Sequence, residues 1–302
     1  MTEPTRVRRP RPVLRAIGAV VAFYLLGALL VALFLIPFVK LLTRGVSAQE
    51  LAAHPTPLFA LVQGVALLLG FGLATWVVGV RALALDATAL RWRVRLGPLR
   101  GLGAGLVFGI LPAAVAMLLG VFTAGAGWIP DGGSLSGWLV QSGKTVLILA
   151  PAALSEELMF RGLPMVVAAR AIGRGRAVVL LSVMFAVVHY QNFTVAHIQN
   201  PELIAAGLGN IALAGIWLSL AFFSPGGMWT AFGAHLGWNA TLAALAAPVS
   251  GLPFDIPYID YRMGRPAWLT GGAFGPEGGL LATLALTVTV VLAAQWIRKE
   301  PT

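Results

Sequence analysis

The sequence has no cysteine among its 302 residues. A disulfide framework, a thiolate metal site and a cysteine nucleophile are therefore excluded. Charged residues are also scarce, at 11% of the chain, whereas a soluble domain carries about 25%. With 58% hydrophobic residues and a mean hydropathy of +0.86, the composition predicts a polytopic membrane protein.

Acidic residues are fewer than basic ones: the sequence has 11 Asp and Glu residues and 21 Lys and Arg residues. The net charge of +10 is not that of a nucleic-acid-binding protein, because the arginines sit in short clusters between apolar runs. This arrangement is typical of the positive-inside rule. We therefore expect the lipid bilayer, and no nucleic acid, as the partner of the basic clusters.

Eight apolar runs are long enough to cross a membrane as helices, which predicts an all-α fold. The first run is longer than the apolar core of a signal peptide, about 7–15 residues, so we interpret it as a spanning helix. We expect 1–15 to be a basic arm, 16–297 a single membrane domain with its motif-bearing core at about 140–247, and 298–302 a tail. The predicted spans are 16–39, 58–80, 102–124, 140–163, 177–193, 203–223, 228–247 and 278–297.

An even number of spans puts both termini on one side of the membrane. On this assumption most of the 21 Lys and Arg residues fall on the terminal side, which predicts that both termini are cytoplasmic. Together with the glycine just before it, the third span carries Gly101, Gly105 and Gly109 at four-residue spacing, which indicates a face for close helix packing.

Two adjacent glutamates, Glu156 and Glu157, stand in the fourth predicted span. An ionised side chain there costs about 2.5 kcal/mol or more, so each needs a partner. Arg161 follows Glu157 by four residues and lies on the same helical face, which predicts an ion pair. Glu156 points about 100° away from that pair and has no local partner.

Two later spans carry histidines that can meet Glu156. His189 follows Phe185 by four residues in the fifth span, and Asn239 follows His235 by four in the seventh. Counted from the inner ends of the predicted spans at about 1.5 Å per residue, Glu156 and His235 lie about 10 Å deep and His189 about 18 Å. One cavity that opens to the cytoplasm can therefore hold all of them.

These residue types suffice for peptide hydrolysis without a Ser or Cys nucleophile. A carboxylate and a histidine can take a proton from a water molecule, and a second histidine beside an amide offers donors to an oxyanion. Glu156, His189 and His235 are equally the ligand types of a divalent metal such as zinc. No His-Glu-x-x-His pattern is present, so both a metal-free and a metal-bound water stay open.

The three motifs Glu156-Glu157-x-x-x-Arg161, Phe185-x-x-x-His189 and His235-x-x-x-Asn239 together resemble the signature of the CPBP intramembrane protease family. That family includes type II CAAX prenyl endopeptidases and bacterial Abi and bacteriocin-processing or immunity proteins. The resemblance covers about 155–240. It implies eight helices, a cytoplasm-facing site and a bacterial cytoplasmic membrane.

By the same resemblance, Glu156 and His189 activate water, and His235 and Asn239 stabilise the oxyanion. Glu157, Arg161 and Phe185 support the site. The expected partner is a membrane-associated peptide or protein, with C-terminal lipidation left open. Two other interpretations remain: an idle scaffold or immunity protein, and a proton-coupled small-solute transporter. Transporters often show paired repeats, and none is visible here.

Overall fold

The computed structural model describes residues 12–42 and 56–298, which are 77% helical. This confirms the predicted helical class. The helices are α1 (Pro12–Leu42), α2 (Pro57–Ala74), α3 (Pro98–Ala124), α4 (Leu135–Phe160), α5 (Leu163–Ile172), α6 (Arg174–Val188), α7 (Tyr190–Val195), α8 (Pro201–Phe223), α9 (Gly227–Ala244), α10 (Ala267–Thr270) and α11 (Leu280–Arg298). A π-helix, Thr75–Ala82, continues α2, and two short strands, β1 (Gly127–Pro130) and β2 (Ile259–Arg262), pair antiparallel.

In the described part of the chain, six helical segments are long and apolar enough to cross a membrane. They comprise α1, α2 with its π-helix, α3, α6 with α7, α8 and α11. The lipid-facing character is clearest on α1, where Leu25, Leu29 and Leu33 form one exposed apolar stripe. The remaining long helices, α4 and α9, carry Glu156, Glu157, His235 and Asn239 of the predicted site and do not reach the same apolarity.

The predicted ends of several spans differ from the structure. Residues 12–15, expected in the basic arm, belong to α1, whereas 1–11 and 299–302 lie outside the described residues. The fourth span was predicted to end at Leu163, but α4 ends at Phe160 and a separate helix, α5, begins at Leu163. A Cβ atom at Gly162 would overlap the Leu158 carbonyl group, and Pro164 cannot continue a helix from the preceding residues.

The break after α4 lies inside the protein. The Tyr24 hydroxyl group, in α1, donates a hydrogen bond of 2.7 Å to the Met159 carbonyl oxygen, and Leu163 and Met165 are fully buried. The basic connector is reached only at Arg170, near the end of α5. Glu156 is therefore separated from the basic connector by the helix break and by most of α5.

Helices α3 and α9 pack backbone to backbone. A Cβ atom at Gly105 would overlap the backbone of Thr230 and Ala234, and one at Gly109 would overlap that of Ala234. From the other side, Gly233 and Gly237 approach the backbone of α3 in the same way. The predicted close-packing face is thus confirmed, and it holds α9, which carries His235, against α3.

The long segment after α9, predicted as a loop, folds back over the helix ends. The indole groups of Trp128 and Trp138 donate to the carbonyl oxygens of Leu245 and Ala244, which lie at the end of α9 and lack intrahelical partners. Strand β2 of this segment pairs with β1, a contact that the sequence did not predict. The segment therefore belongs to the wall of the helical domain.

Candidate active site

Glu156 and Glu157 occupy the last turn of α4 and have different surroundings. Adjacent residues on a helix point about 100° apart. The Glu157 side chain is fully buried between α4 and α9, whereas that of Glu156 is 29% exposed and faces a cavity. Of these two neighbouring residues, Glu157 is thus a buried carboxylate within the protein interior, and Glu156 is a carboxylate that the cavity can reach.

Glu157 forms the predicted ion pair with Arg161, at 3.2 Å between Oε1 and Nη1. Arg161 also donates to the Gly215 carbonyl oxygen of α8, and its guanidinium group lies 4.3 Å from the ring centre of Phe185. A planar guanidinium suits both contacts. The pair therefore joins α4, α6 and α8 behind the cavity.

Both histidines have one ring nitrogen fixed by an acceptor. His189 Nδ1 lies 2.7 Å from the Phe185 carbonyl oxygen, and His235 Nδ1 lies 2.8 Å from Glu157 Oε1. A carbonyl oxygen and a carboxylate only accept, so each Nδ1 donates its proton. In the neutral imidazoles, Nε2 is then the basic nitrogen.

The two Nε2 atoms converge on Glu156. Oε2 of Glu156 is 3.6 Å from His189 Nε2 and 3.7 Å from His235 Nε2, too far for direct hydrogen bonds. This oxygen is buried and accepts no hydrogen bond from the described protein groups. Three acceptors at such distances suit a water molecule or a shared proton between them.

The cavity that holds this cluster has a volume of about 160 Å³. Asn239 lines it one helical turn after His235, as predicted, and Phe185 forms part of its wall. The seven residues predicted from the motifs thus form one site, five on the cavity and the Glu157–Arg161 pair behind it.

The polar residues Ser250 and Glu277 also line the cavity and were not predicted from the sequence. Both come from the segment after α9, where no helical periodicity or motif marks them. The only signal was an acidic residue directly before an apolar span, with no basic residue nearby in the sequence. Burial raises the pKa of the Glu277 carboxyl group, and hydrogen bonds from Ser250 and Trp238 act in the opposite direction.

Glu156, His189 and His235 were also predicted as ligands for a metal such as zinc. Across residues 12–42 and 56–298, no group of three or more His, Asp and Glu side chains is arranged to hold a metal ion. The Nδ1 atom of each histidine is hydrogen-bonded, as is usual for histidines that bind a metal through Nε2. The side chains of Glu156, His189 and His235 nevertheless do not form a metal site in the positions that they occupy.

The fold and this cluster define a helical membrane protein with a buried Glu/His site. Residues 138–241 match the family described as type II CAAX prenyl endopeptidase Rce1-like. The match runs from α4 to α9 and contains all seven predicted site residues. The chain thus carries a domain of this family, which confirms the predicted CPBP resemblance. No curated protein and no solved structure matches the chain.

Proposed function

We propose that this protein is an intramembrane endopeptidase that hydrolyses a peptide bond with water activated by Glu156 and His189. The observation that carries the proposal is the convergence of two imidazole Nε2 atoms on Glu156 Oε2, at 3.6 and 3.7 Å. The family match supports a peptidase. A carboxylate and a histidine that share one water molecule are positioned for general base catalysis.

The reaction balances with the residues present. Glu156 takes one proton from the water, while His189 Nε2 accepts a hydrogen bond from the other and orients the molecule. The resulting hydroxide attacks the carbonyl carbon of the scissile bond. His235 acts here as the imidazolium: its Nδ1–H donates to Glu157, and its Nε2–H donates to the oxyanion together with the Asn239 amide. Glu156 then returns its proton to the leaving nitrogen as the carbon–nitrogen bond breaks, which yields an acid and an amine.

The membrane arrangement is part of the proposal. We place eight spans, including α4 and α9, in a bacterial cytoplasmic membrane, with both termini cytoplasmic and cleavage near the cytoplasmic face. The 16–297 domain has its motif-bearing core at about 140–247. The substrate is a membrane-anchored peptide or protein, with or without a C-terminal lipid.

The test uses protein purified into lipid vesicles and a library of membrane-anchored peptides. Wild type should cut at least one peptide, and Glu156→Gln should lose more than about 100-fold in kcat, because general base catalysis contributes about 10²–10⁴-fold. His197→Asn is the matched control, since His197 is exposed and asparagine tolerates its left-handed backbone.

Each reaction is repeated with a strong chelator. Activity that survives the chelator supports a metal-free water, whereas activity that is lost and then restored by zinc assigns the water to a metal. If Glu156→Gln cuts as well as wild type, the proposed mechanism is wrong. If wild type cuts none of the peptides, an idle scaffold, an immunity protein or a proton-coupled transporter is the better interpretation.

A further inference from the structure

A groove separate from the active-site cavity lies between α1, α5 and the residues that follow the π-helix, and its volume is about 500 Å³. None of the residues that line it also lines the active-site cavity. Two of its three walls, α1 and the residues after the π-helix, lie outside the segment 138–241 that matches the family. The groove therefore has no part in the proposed reaction.

Most of the wall of this groove is apolar. It includes Ala16 and Ala19 of α1, Leu85 after the π-helix and Val167 of α5. Alanine side chains are too short to fill the space between the helices, and an unfilled apolar gap forfeits packing contacts. An apolar chain that covers this surface would therefore be bound favourably.

The charged residues of the groove are two arginines. Arg15 and Arg170 line it, and both residues are exposed. Neither guanidinium group forms an ion pair or a hydrogen bond with another residue within 12–42 and 56–298. No Asp or Glu of this part of the chain lines the groove. The groove thus presents two positive charges without a counter-charge from the described residues.

The two arginines lie at helix ends that face the same side of the membrane in the proposed orientation. Arg15 is in the first turn of α1, and Arg170 is in the last turn of α5, where the basic connector begins. On the cytoplasmic side, anionic lipids give the membrane a negative surface potential. Helix α1 is the least buried of the six apolar segments, so lipid has lateral access to the groove.

We propose that this groove binds one anionic phospholipid, whose phosphate is held by Arg15 and Arg170 and whose acyl chain covers the apolar wall. A guanidinium group matches phosphate oxygens in a bidentate geometry. Basic pockets between membrane helices are typical sites for anionic headgroups. The inference uses the proposed membrane orientation and is independent of the peptidase reaction.

The basic arm of the chain does not complement the groove. Residues 1–11 carry four arginines and one glutamate, so their net charge has the same sign as that of Arg15 and Arg170. An anionic phospholipid combines the opposite charge with an apolar chain, and the groove offers a surface for each.

The test measures thermal unfolding of the full chain in detergent, without lipid and with added phosphatidylglycerol or phosphatidylcholine. A ligand that binds the folded protein raises its unfolding temperature. Phosphatidylglycerol should raise that of wild type by about 2–4 °C or more. Phosphatidylcholine should raise it less, because its choline group cancels the charge of the phosphate. In Arg15→Gln/Arg170→Gln this difference between the lipids should vanish, and unfolding without lipid should match wild type.

A matched variant separates the groove from general surface charge. Arg93→Gln/Arg100→Gln also removes two exposed arginines, which lie before α3 and in its first turn, on the same predicted side of the membrane. It should keep the wild-type response to phosphatidylglycerol. If it loses the response as Arg15→Gln/Arg170→Gln does, or if both lipids shift wild type equally, the inference is overturned.

Two further measurements test the acyl chain and the headgroup separately. Ala16→Phe fills part of the groove but keeps both arginines, and it should bind fluorescent phosphatidylglycerol severalfold more weakly than wild type. Unchanged binding would show that no acyl chain lies in the groove. Inorganic phosphate at the same concentration should not raise the unfolding temperature of wild type. A shift as large as that with phosphatidylglycerol would make the arginines a site for a free anion and overturn the lipid assignment.

Discussion

At the scale of single residues, Glu156 and Glu157 show how one position along a helix decides between chemistry and structure. Glu157 accepts from Arg161 and His235 and has no exposure, whereas the accessible Glu156 faces two imidazole nitrogens. Their different partners follow from the 100° step between neighbours. The sequence indicates this division because Arg161 lies four residues after Glu157 and not after Glu156.

The buried pair gives a stability prediction. Arg161→Met should lower the unfolding free energy by about 3–5 kcal/mol, because the Glu157 charge is left in the interior without its arginine. Thermal unfolding of purified protein in detergent measures the change. Arg170→Gln, which removes an exposed arginine of α5, should be close to wild type.

A double variant identifies the cause. Glu157→Gln/Arg161→Met should lose less stability than the sum of the two single variants, since no isolated charge remains. Additive losses would show that packing against Phe185, and not the ion pair, carries the effect of Arg161.

At the scale of elements, the site depends on where helices end and how closely they approach. His189 is at the junction of α6 and α7, and Glu156 is four residues before the end of α4. The break at Gly162 and the helix α5 were not predicted, because glycine is common inside membrane helices and the contact that favours the break comes from Tyr24, far away in the sequence.

The contact between α3 and α9 can be tested with two glycines of one helix. Gly109→Ala should lower the unfolding temperature and peptide cleavage together, because its Cβ atom would push α9 and His235 away from α4. Gly103→Ala should be neutral or slightly stabilising, since nothing lies within 4 Å of the added atom and alanine favours a helix. Equal effects of both substitutions would contradict this account of the packing.

At the scale of the whole molecule, the chain brings distant segments to one cavity. The motif spacing was sufficient to predict that Glu156, His189, His235 and Asn239 belong to one site. It was insufficient for Ser250 and Glu277, because a Gly/Pro-rich segment without periodicity gives no indication of where it returns. The six apolar segments were recognisable as membrane spans from their length and mean hydropathy. The helices α4 and α9 are more polar and do not meet the same criteria of length and hydropathy.

The predicted topology can be mapped without removing native thiols, because the sequence has no cysteine. Arg93→Cys and Asp255→Cys each place one thiol at an exposed position between helices. In intact bacterial cells, a membrane-impermeant maleimide should label residue 255 and not residue 93. Inverted vesicles should reverse the pattern. Labelling of both positions from one side would contradict eight spans with cytoplasmic termini.

The glycine contact also has an evolutionary consequence. Gly105 and Gly109 on one helix and Gly233 and Gly237 on the other each fit against backbone, so a side chain gained at one position requires the facing helix to retreat. Yet none of the four contributes a functional group to the reaction. Among descendants of a common ancestor, these positions should resist change as a set, nearly as strongly as the residues that touch substrate.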